Sequence, residues 1–257
     1  MIWDELTSPQ LDNLDRDIPV FLPISATEQH GAHLPLATDR MIGWHFLKEL
    51  DALISDRILI LPPVAVGCSE HHMDFAGTLT VSHDSMHAYV EEIVEAVSTH
   101  GFRNVVIFNS HGGNSALSQV LVESLGPRFS GNLVAATWWR LAVTSLLAES
   151  QTGPGGVGHA GEFETSLMLL IAPNLVSMDQ VKPKANRKTF PWAEGDLLRG
   201  AHASYFRSMQ EMTPTGVFGD PAKSSAAQGQ RITEIVIERL RHLVDDLYTN
   251  RSYDLAN

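Results

Sequence analysis

The chain is poor in the features that mark secreted, membrane or nucleic-acid-binding proteins. A single cysteine, Cys68, among 257 residues excludes an internal disulfide and fits a reducing compartment. Basic residues are few: 18 Lys and Arg stand against 30 Asp and Glu, a formal charge of -12. Nucleic acid or an anionic bilayer needs a basic face, so neither is expected as a partner. A small anionic substrate needs only local positive charge and stays compatible. No apolar run approaches the roughly 20 residues that span a bilayer. The N-terminal MIWDELTSPQLDNLDRDIP is acidic and lacks an apolar signal core. A cytoplasmic, soluble protein is the expectation. Internal repeats and linker-like stretches are missing too, which predicts one domain over residues 1–257. With 44% hydrophobic and 19% charged residues, the composition is that of a folded globular protein.

What the chain does have is a concentration of metal-ligand residue types. The stretch TEQHGAHLPLATD, from Thr27 to Asp39, packs Glu28, His30, His33 and Asp39 behind an apolar run. Carboxylates are hard oxygen donors and imidazole is a borderline nitrogen donor, a mixture that suits zinc, manganese or iron(II). In extended backbone, side chains two apart share a side, so Glu28 and His30 can converge on one point. Asp39 returns to that point across a turn eased by Gly31 and Pro35, and a carboxylate so placed can bridge two ions.

Apolar runs and helical periodicities alternate along the chain. Strands are expected at Pro19 to Ser25, Arg57 to Val66, Arg103 to Ser110 and Asn132 to Trp138, the second ended or displaced by Pro62 and Pro63. Helices are expected over Asp39 to Leu53 with Thr38 as cap, Ser85 to Thr99 closed by Gly101, Ser115 to Leu125, Leu141 to Glu149, Glu162 to Ile171, and Lys223 to Tyr248. The stretch from Pro173 to about Phe218 carries few periodic signals. The alternation implies a parallel sheet: a three-layer α/β/α sandwich with a mostly parallel, Rossmann-like centre. In such sheets ligands bind beyond the carboxyl ends of strands, where Glu28, His30 and His111 all fall.

His111 follows an apolar strand and is followed by two glycines, which leave room beside the imidazole. The run HAGEFETS adds His159, Glu162 and Glu164, with both acids in the first turn of a helix. One ion held by His30, Asp39 and His111, and a second by Glu28, Asp39 and one of these two acids, would use the donors well. Two ions sharing Asp39 would hold a bridging hydroxide, since coordination lowers the pKa of water from about 16 toward about 7. His159 would then protonate the departing nitrogen. Hydrolysis of an amide-like C–N bond is the reaction expected.

Single features of the sequence fit three other classes. Gly153, Gly155 and Gly158 formally spell the dinucleotide-binding GxGxxG, but the motif needs a preceding buried strand and here a helical, polar stretch precedes it. A flap over the site is the better expectation for this run. A cysteine hydrolase pairing Cys68 with His71 or His72 would lose activity to thiol alkylation and not to chelation. A non-catalytic, metal-stabilised binding module would hold metal and be inert toward amides.

The segments TEQHGAHLPLATD, SEHHMDFAGTLT, NSHGGN, HAGEFETS and GVFGDP together resemble the creatininase family of metal-dependent amidohydrolases, in a resemblance that runs from Ser25 to Pro221. The resemblance implies a Rossmann-like three-layer fold and a homo-oligomer, often a hexamer. It implies two divalent metal ions, zinc with zinc, manganese or iron at the second position, and a small-molecule amide substrate. Carried over by position, it makes Glu28, His30, Asp39 and His111 metal ligands, with Asp39 bridging. Members that act on creatinine carry a ligand Glu two residues after the His matching His111, where this chain has Gly113. They also carry a Trp four residues before the His matching His159, where this chain has Gly155. Both departures speak against creatinine itself. The Gly113 variant resembles branches acting as a formamidopyrimidine nucleotide deformylase or as a mycofactocin-precursor peptidase. In these the Glu matching Glu164 supplies the missing ligand, which favours Glu164 over Glu162 as fifth donor. The resemblance also assigns Trp138 or Trp139 to the wall of the substrate cavity. Glu70 and His71, in the loop SEHHMDFAGT, are further candidates for shaping that pocket.

Overall fold

The computed structural model describes residues 1–249. Four parallel strands form the centre: β1 (Val20–Ile24), β2 (Leu59–Ile60), β3 (Asn104–Asn109) and β4 (Asn132–Thr137), in the order β2-β1-β3-β4. Val20 pairs with Leu59 on one side and with Val105 on the other, and Asn104 with Asn132. A short helix, α1 (Ser8–Asp12), precedes the sheet. The remaining helices are α2 (Thr38–Ile54), α3 (His83–Thr99), α4 (Ser115–Leu125), α5 (Trp138–Leu141), α6 (Val143–Glu149), α7 (Glu162–Ile171), α8 (Met209–Met212) and α9 (Ala226–Thr249).

Residues of β1, β2 and β3 are buried on both faces because helices cover both, whereas the edge strand β4 is buried only at Ala136 and Thr137. Phe21, Val106 and Phe108 point into a core shared with α2, α5, α6, α7 and α9. Val20, Leu22, Val105 and Ile107, one residue out of phase, point into a second core with Met86, Val90 and Val94 of α3 and Leu117 and Leu121 of α4. The three-layer α/β/α expectation is met. In α9 the buried Ile232, Val236, Leu240, Val244 and Leu247 recur at helical spacing and form one apolar stripe. Gly229 lets α9 lie against α7, because a Cβ there would stand 2.3 Å from the carbonyl oxygen of Ser166.

Local corrections have simple causes. The stretch from Arg57 to Val66 pairs as a strand only at Leu59–Ile60, since Pro62 and Pro63 offer no N–H to a ladder. Val64 returns as an isolated bridge to Ile24. Thr38 is the first residue of α2 and not its cap; its hydroxyl donates to the carbonyl of Pro35. α3 starts earlier than its apolar positions suggest because Ser82 caps it, accepting the Ser85 N–H at 3.1 Å. Gly101 ends that helix with φ +88°, as expected.

The strand order reverses direction at β1, whose neighbours are the next strand in sequence on one side and β3 on the other. The crevice beyond the carboxyl ends of β1 and β3 is therefore the switch point of the sheet, where ligands of open α/β folds bind. Chain leaving β1 carries Glu28 and His30 into it, and chain leaving β3 carries His111.

Candidate metal centre

His111 is fixed by the residues around it. Asn109, at the end of β3, accepts the His111 N–H at 3.0 Å and donates to its carbonyl at 2.8 Å. Asn114 accepts the Cys68 N–H at 3.0 Å and donates to the Ser25 carbonyl at 3.1 Å, so it ties together the loops after β1, β2 and β3. Asp39 arrives on the first turn of α2. His159 and Glu164 arrive with α7, preceded by Ala160, which at φ 52° is the non-glycine residue with left-handed backbone among the described residues. Glu28, His30, Asp39 and His111 are each at most 2% exposed.

Tautomers follow from the backbone carbonyls these rings touch, because a carbonyl can only accept. His30 Nδ1 lies 3.1 Å from the Glu28 carbonyl, His111 Nε2 lies 3.1 Å from that of Cys68, and His159 Nε2 lies 2.7 Å from that of Gln29. Each ring donates there and turns its other nitrogen inward. His30 Nε2 meets Asp39 Oδ1 at 3.2 Å and Glu164 Oε2 at 3.8 Å. His111 Nδ1 meets Asp39 Oδ2 at 3.0 Å and Glu28 Oε1 at 3.4 Å. His159 Nδ1 meets Glu28 Oε1 at 3.4 Å. A bare ring nitrogen is repelled by a carboxylate at these distances, so each such contact calls for a proton or a metal cation. Oε2 of Glu28 and Oδ2 of Asp39 are buried and accept no hydrogen bond. Trios such as Glu28, His30 and Asp39, or His30, His159 and Glu164, bring ligand atoms within 4.8 Å of one another, and their mixture of oxygen and imidazole nitrogen fits divalent metal ions.

The electrostatics agree. Burial lowers the affinity of His30 for a proton, but Asp39, with Glu164 and Glu28, outweighs it and pushes the imidazole up to about 9. His111 is likewise opposed by burial and driven well above its ordinary value by Glu28 and Asp39. Burial would raise Glu28, yet His111, His72 and His159 together hold it well below the usual carboxylate range. Burial raises Glu164 to about 7 despite His30 beside it. Burial, then His30 and His72, push His159 well below its ordinary value, so it stays neutral. The rings wedged between carboxylates take up a proton where a metal cation would otherwise sit.

Asp39 stands between His30 and His111, one oxygen toward each, as a bridging carboxylate requires. His30 faces Glu164 as well as Asp39, and His111 faces Glu28 as well as Asp39. Glu162 is removed from contention: it points away and accepts from Gln151 N, Thr152 N, the Thr152 hydroxyl and Gln228 Nε2. Gly113 has no space for a side chain, since a Cβ would lie 2.1 Å from the Cys68 carbonyl oxygen and 2.5 Å from His111 Nε2.

Trp138 and Trp139 do not line the site. They are core residues, packed edge-on with ring centroids 5.3 Å apart, and Trp138 lies against Phe46. Glu70 is exposed and lies outside the cavity wall, whereas His71 is in that wall, stacked on His111. The glycine run after α6 is a packed turn with Val157 fully buried, not a flap, and only its Gly158 reaches the cavity. A helix precedes it instead of a strand, which removes the dinucleotide reading.

Two neighbours escaped sequence reasoning. Gln29 accepts the Gly31 N–H on Oε1 and so directs Nε2 at His72 Nδ1, 2.8 Å away. His72 must then carry its proton on Nε2, 3.3 Å from Glu28 Oε1, which makes it a donor to that carboxylate and not a metal ligand. Nothing in a polar loop sequence separates His72 from His71. The donors floor a cavity of about 260 Å³ whose outer wall, with Leu197, Tyr205, Arg207, Met209, Met212 and Phe218, comes from the aperiodic stretch.

Comparison with known proteins agrees with this geometry. A family model described as Creatininase: Creatinine amidohydrolase matches residues 4–244. The chain is 30% identical over 248 residues to the mycofactocin precursor peptide peptidase of Mycobacterium tuberculosis (strain CDC 1551 / Oshkosh), covering 90% of this chain and 86% of that protein. It is 28% identical over 185 residues to the creatinine amidohydrolase of Pseudomonas putida, covering 64% and 68%. A solved structure of creatininase described as its Mn form superposes with a TM-score of 0.75 at 24% identity, covering 95% of this chain and 97% of that one. The family match over nearly the whole chain, around a buried Asp39 that stands between His30 and His111 at the switch point of a parallel sheet, establishes that the protein belongs to the creatininase family of hydrolases.

Proposed function

We propose that the chain is a two-metal amidohydrolase that cleaves a peptide-type C–N bond. The observation that carries this reading is the pairing of Asp39 with both inward-facing imidazoles. Glu28, His30, Asp39, His111 and Glu164 are the residues that would hold the metal ions, zinc with zinc, manganese or iron. Divalent ions bound there supply Lewis acidity toward the amide carbonyl and lower the pKa of water. Glu164 takes the role that Gly113 cannot fill. His159, neutral and donating from Nε2 to the Gln29 carbonyl, keeps Nδ1 free to take a proton from the attacking water and pass it to the departing nitrogen. Gln29 holds His159 and His72 in one frame around Glu28.

A peptide substrate is supported by the relatives that cover most of the chain, which are precursor-peptide peptidases, and by the absence of room at Gly113 for the Glu of creatinine-acting members. A small cyclic amide or formamide is the second reading, favoured by the modest cavity of about 260 Å³. Homo-oligomeric assembly belongs to the same proposal, supported by the exposed cluster of Phe190, Trp192 and Tyr205. A cytoplasmic location rests on the lone cysteine; among the described residues no helix is long and apolar enough to cross a membrane. Metal-loaded protein assayed on a panel of peptides, creatinine and formamides should cleave peptides first, and chelation should abolish that activity while alkylation of the buried Cys68 should not. Turnover of creatinine alone would overturn the peptide assignment, and inert metal-replete protein would overturn hydrolysis altogether.

A further inference from the structure

The charge of this acidic chain is unevenly distributed. Between Lys182 and Arg207 six basic residues meet two acids, Glu194 and Asp196, in a protein of net charge -12. Folding brings this stretch to the mouth of the metal site. Lys184, Arg187, Lys188 and Arg199 line a cavity of about 530 Å³ that shares Gly195, Asp196 and Phe218 as walls with the cavity over the metal donors. Arg207 continues the basic lining into the inner cavity.

These cations are not spent on structure. Among the described residues the side chains of Lys184, Arg187, Lys188 and Arg207 make no hydrogen bond or ion pair, whereas Arg199 lies 3.6 Å from Asp196. Asp196 itself is occupied by the backbone N–H groups of Gly155, Leu198 and Arg199. Asn186 at the same wall has a buried Oδ1 without a partner. Exposed lysines scattered over a surface are solvated and mean little. Several unpaired cations lining one concavity that opens onto the reacting centre focus positive potential there and attract negative charge.

We propose that this basic cavity is a docking groove for an acidic peptide segment, holding the carboxylates of a substrate whose scissile amide reaches the metal donors. The inference rests on the peptidase reading and adds the chemical class of the substrate. Lys184, Arg187 and Lys188 pair with side-chain carboxylates along the peptide, and Arg207 reads the negative charge nearest the cleaved bond.

The test uses fluorescein-labelled deca-glutamate and metal-loaded protein, with binding followed by fluorescence anisotropy at about 50 mM and about 300 mM salt, a range over which screening changes steeply. Wild-type protein should bind deca-glutamate, more weakly at higher salt, and should ignore deca-lysine. The triple variant K184Q/R187Q/K188Q should lose about tenfold or more in affinity with its unfolding temperature unchanged. His111→Ala should retain binding, which separates the groove from the metal centre. Equal binding by the triple variant, loss of binding in a folded His111→Ala protein, or preference for inorganic polyphosphate that deca-glutamate does not displace would each overturn the proposal. Failure of the peptidase reading would look different: peptides would remain uncleaved while deca-glutamate still bound.

Discussion

Nδ1 of His111 lies 3.0 Å from Oδ2 of Asp39, yet that oxygen accepts no hydrogen bond. One ring N–H is committed to the Cys68 carbonyl on its far side, so the nitrogen facing Asp39 needs a second proton or a metal cation beside that buried carboxylate. Asp39→Asn replaces a charged bridging donor with a neutral one. Metal affinity should fall by more than about 100-fold, beyond the effect of losing an outer hydrogen bond. Competition against a chromophoric chelator measures it, and an unchanged affinity would remove Asp39 from the ligand set.

Metal binding should expel protons. His30, raised to about 9, and His111, driven well above its ordinary value by Glu28 and Asp39, are both protonated at neutral pH when no cation is present. A metal ligand must be deprotonated, so zinc added to chelator-stripped protein at pH 7 should release about two protons. Calorimetry in buffers of different ionisation enthalpy counts them. The sign for stability follows: the folded value for His30 lies above the unfolded one, so its contribution is complete below about 6.5 and is lost as pH rises through about 9. That loss should be visible in stripped protein and absent in loaded protein.

His33 should act in the opposite direction. It is 2% exposed, touches the Thr165 hydroxyl at 3.0 Å, and burial lowers it to about 4. A folded value below the unfolded one means that stability is complete above about 6.5 and is lost as pH falls toward about 4, by on the order of 3 kcal/mol. Urea unfolding of stripped protein should show this slope, and His33→Asn should flatten it.

Adding a side chain at Gly113 should damage the protein and not restore creatinine chemistry. A Cβ there meets the Cys68 carbonyl oxygen and His111 Nε2, the two atoms of the bond that orients His111. Gly113→Ala should cost about 1–3 kcal/mol of stability and weaken metal binding with it. Thermal unfolding and metal titration of the variant check both, and a Gly113→Glu protein of undiminished stability would show that the loop has room after all.

The buried strands and the ligand loops were legible because their signals are local. The apolar run ending at Ile24 is followed at once by Glu28 and His30, and that ending at Asn109 by His111, and a parallel sheet does the rest. The choice between Glu162 and Glu164 was not local. Both lie in the first turn of α7, and only the packing of Thr152 and Gln228 against Glu162 decides which faces the donors. Trp138 and Trp139 misled for a related reason: a strand end beside a site is also where α5 turns into the core. The basic outer wall was illegible, because a stretch without regular secondary structure leaves no periodicity to read and its position depends on contacts such as Arg187 N–H to the Met212 carbonyl.

Elemental analysis of purified protein, run beside His111→Ala and paired with a peptide-cleavage assay, tests the central claim most directly. The account predicts about two divalent ions per chain in the wild type, with loss of metal and cleavage together in a folded variant. A His111→Ala protein that keeps both its metal and its activity would contradict it.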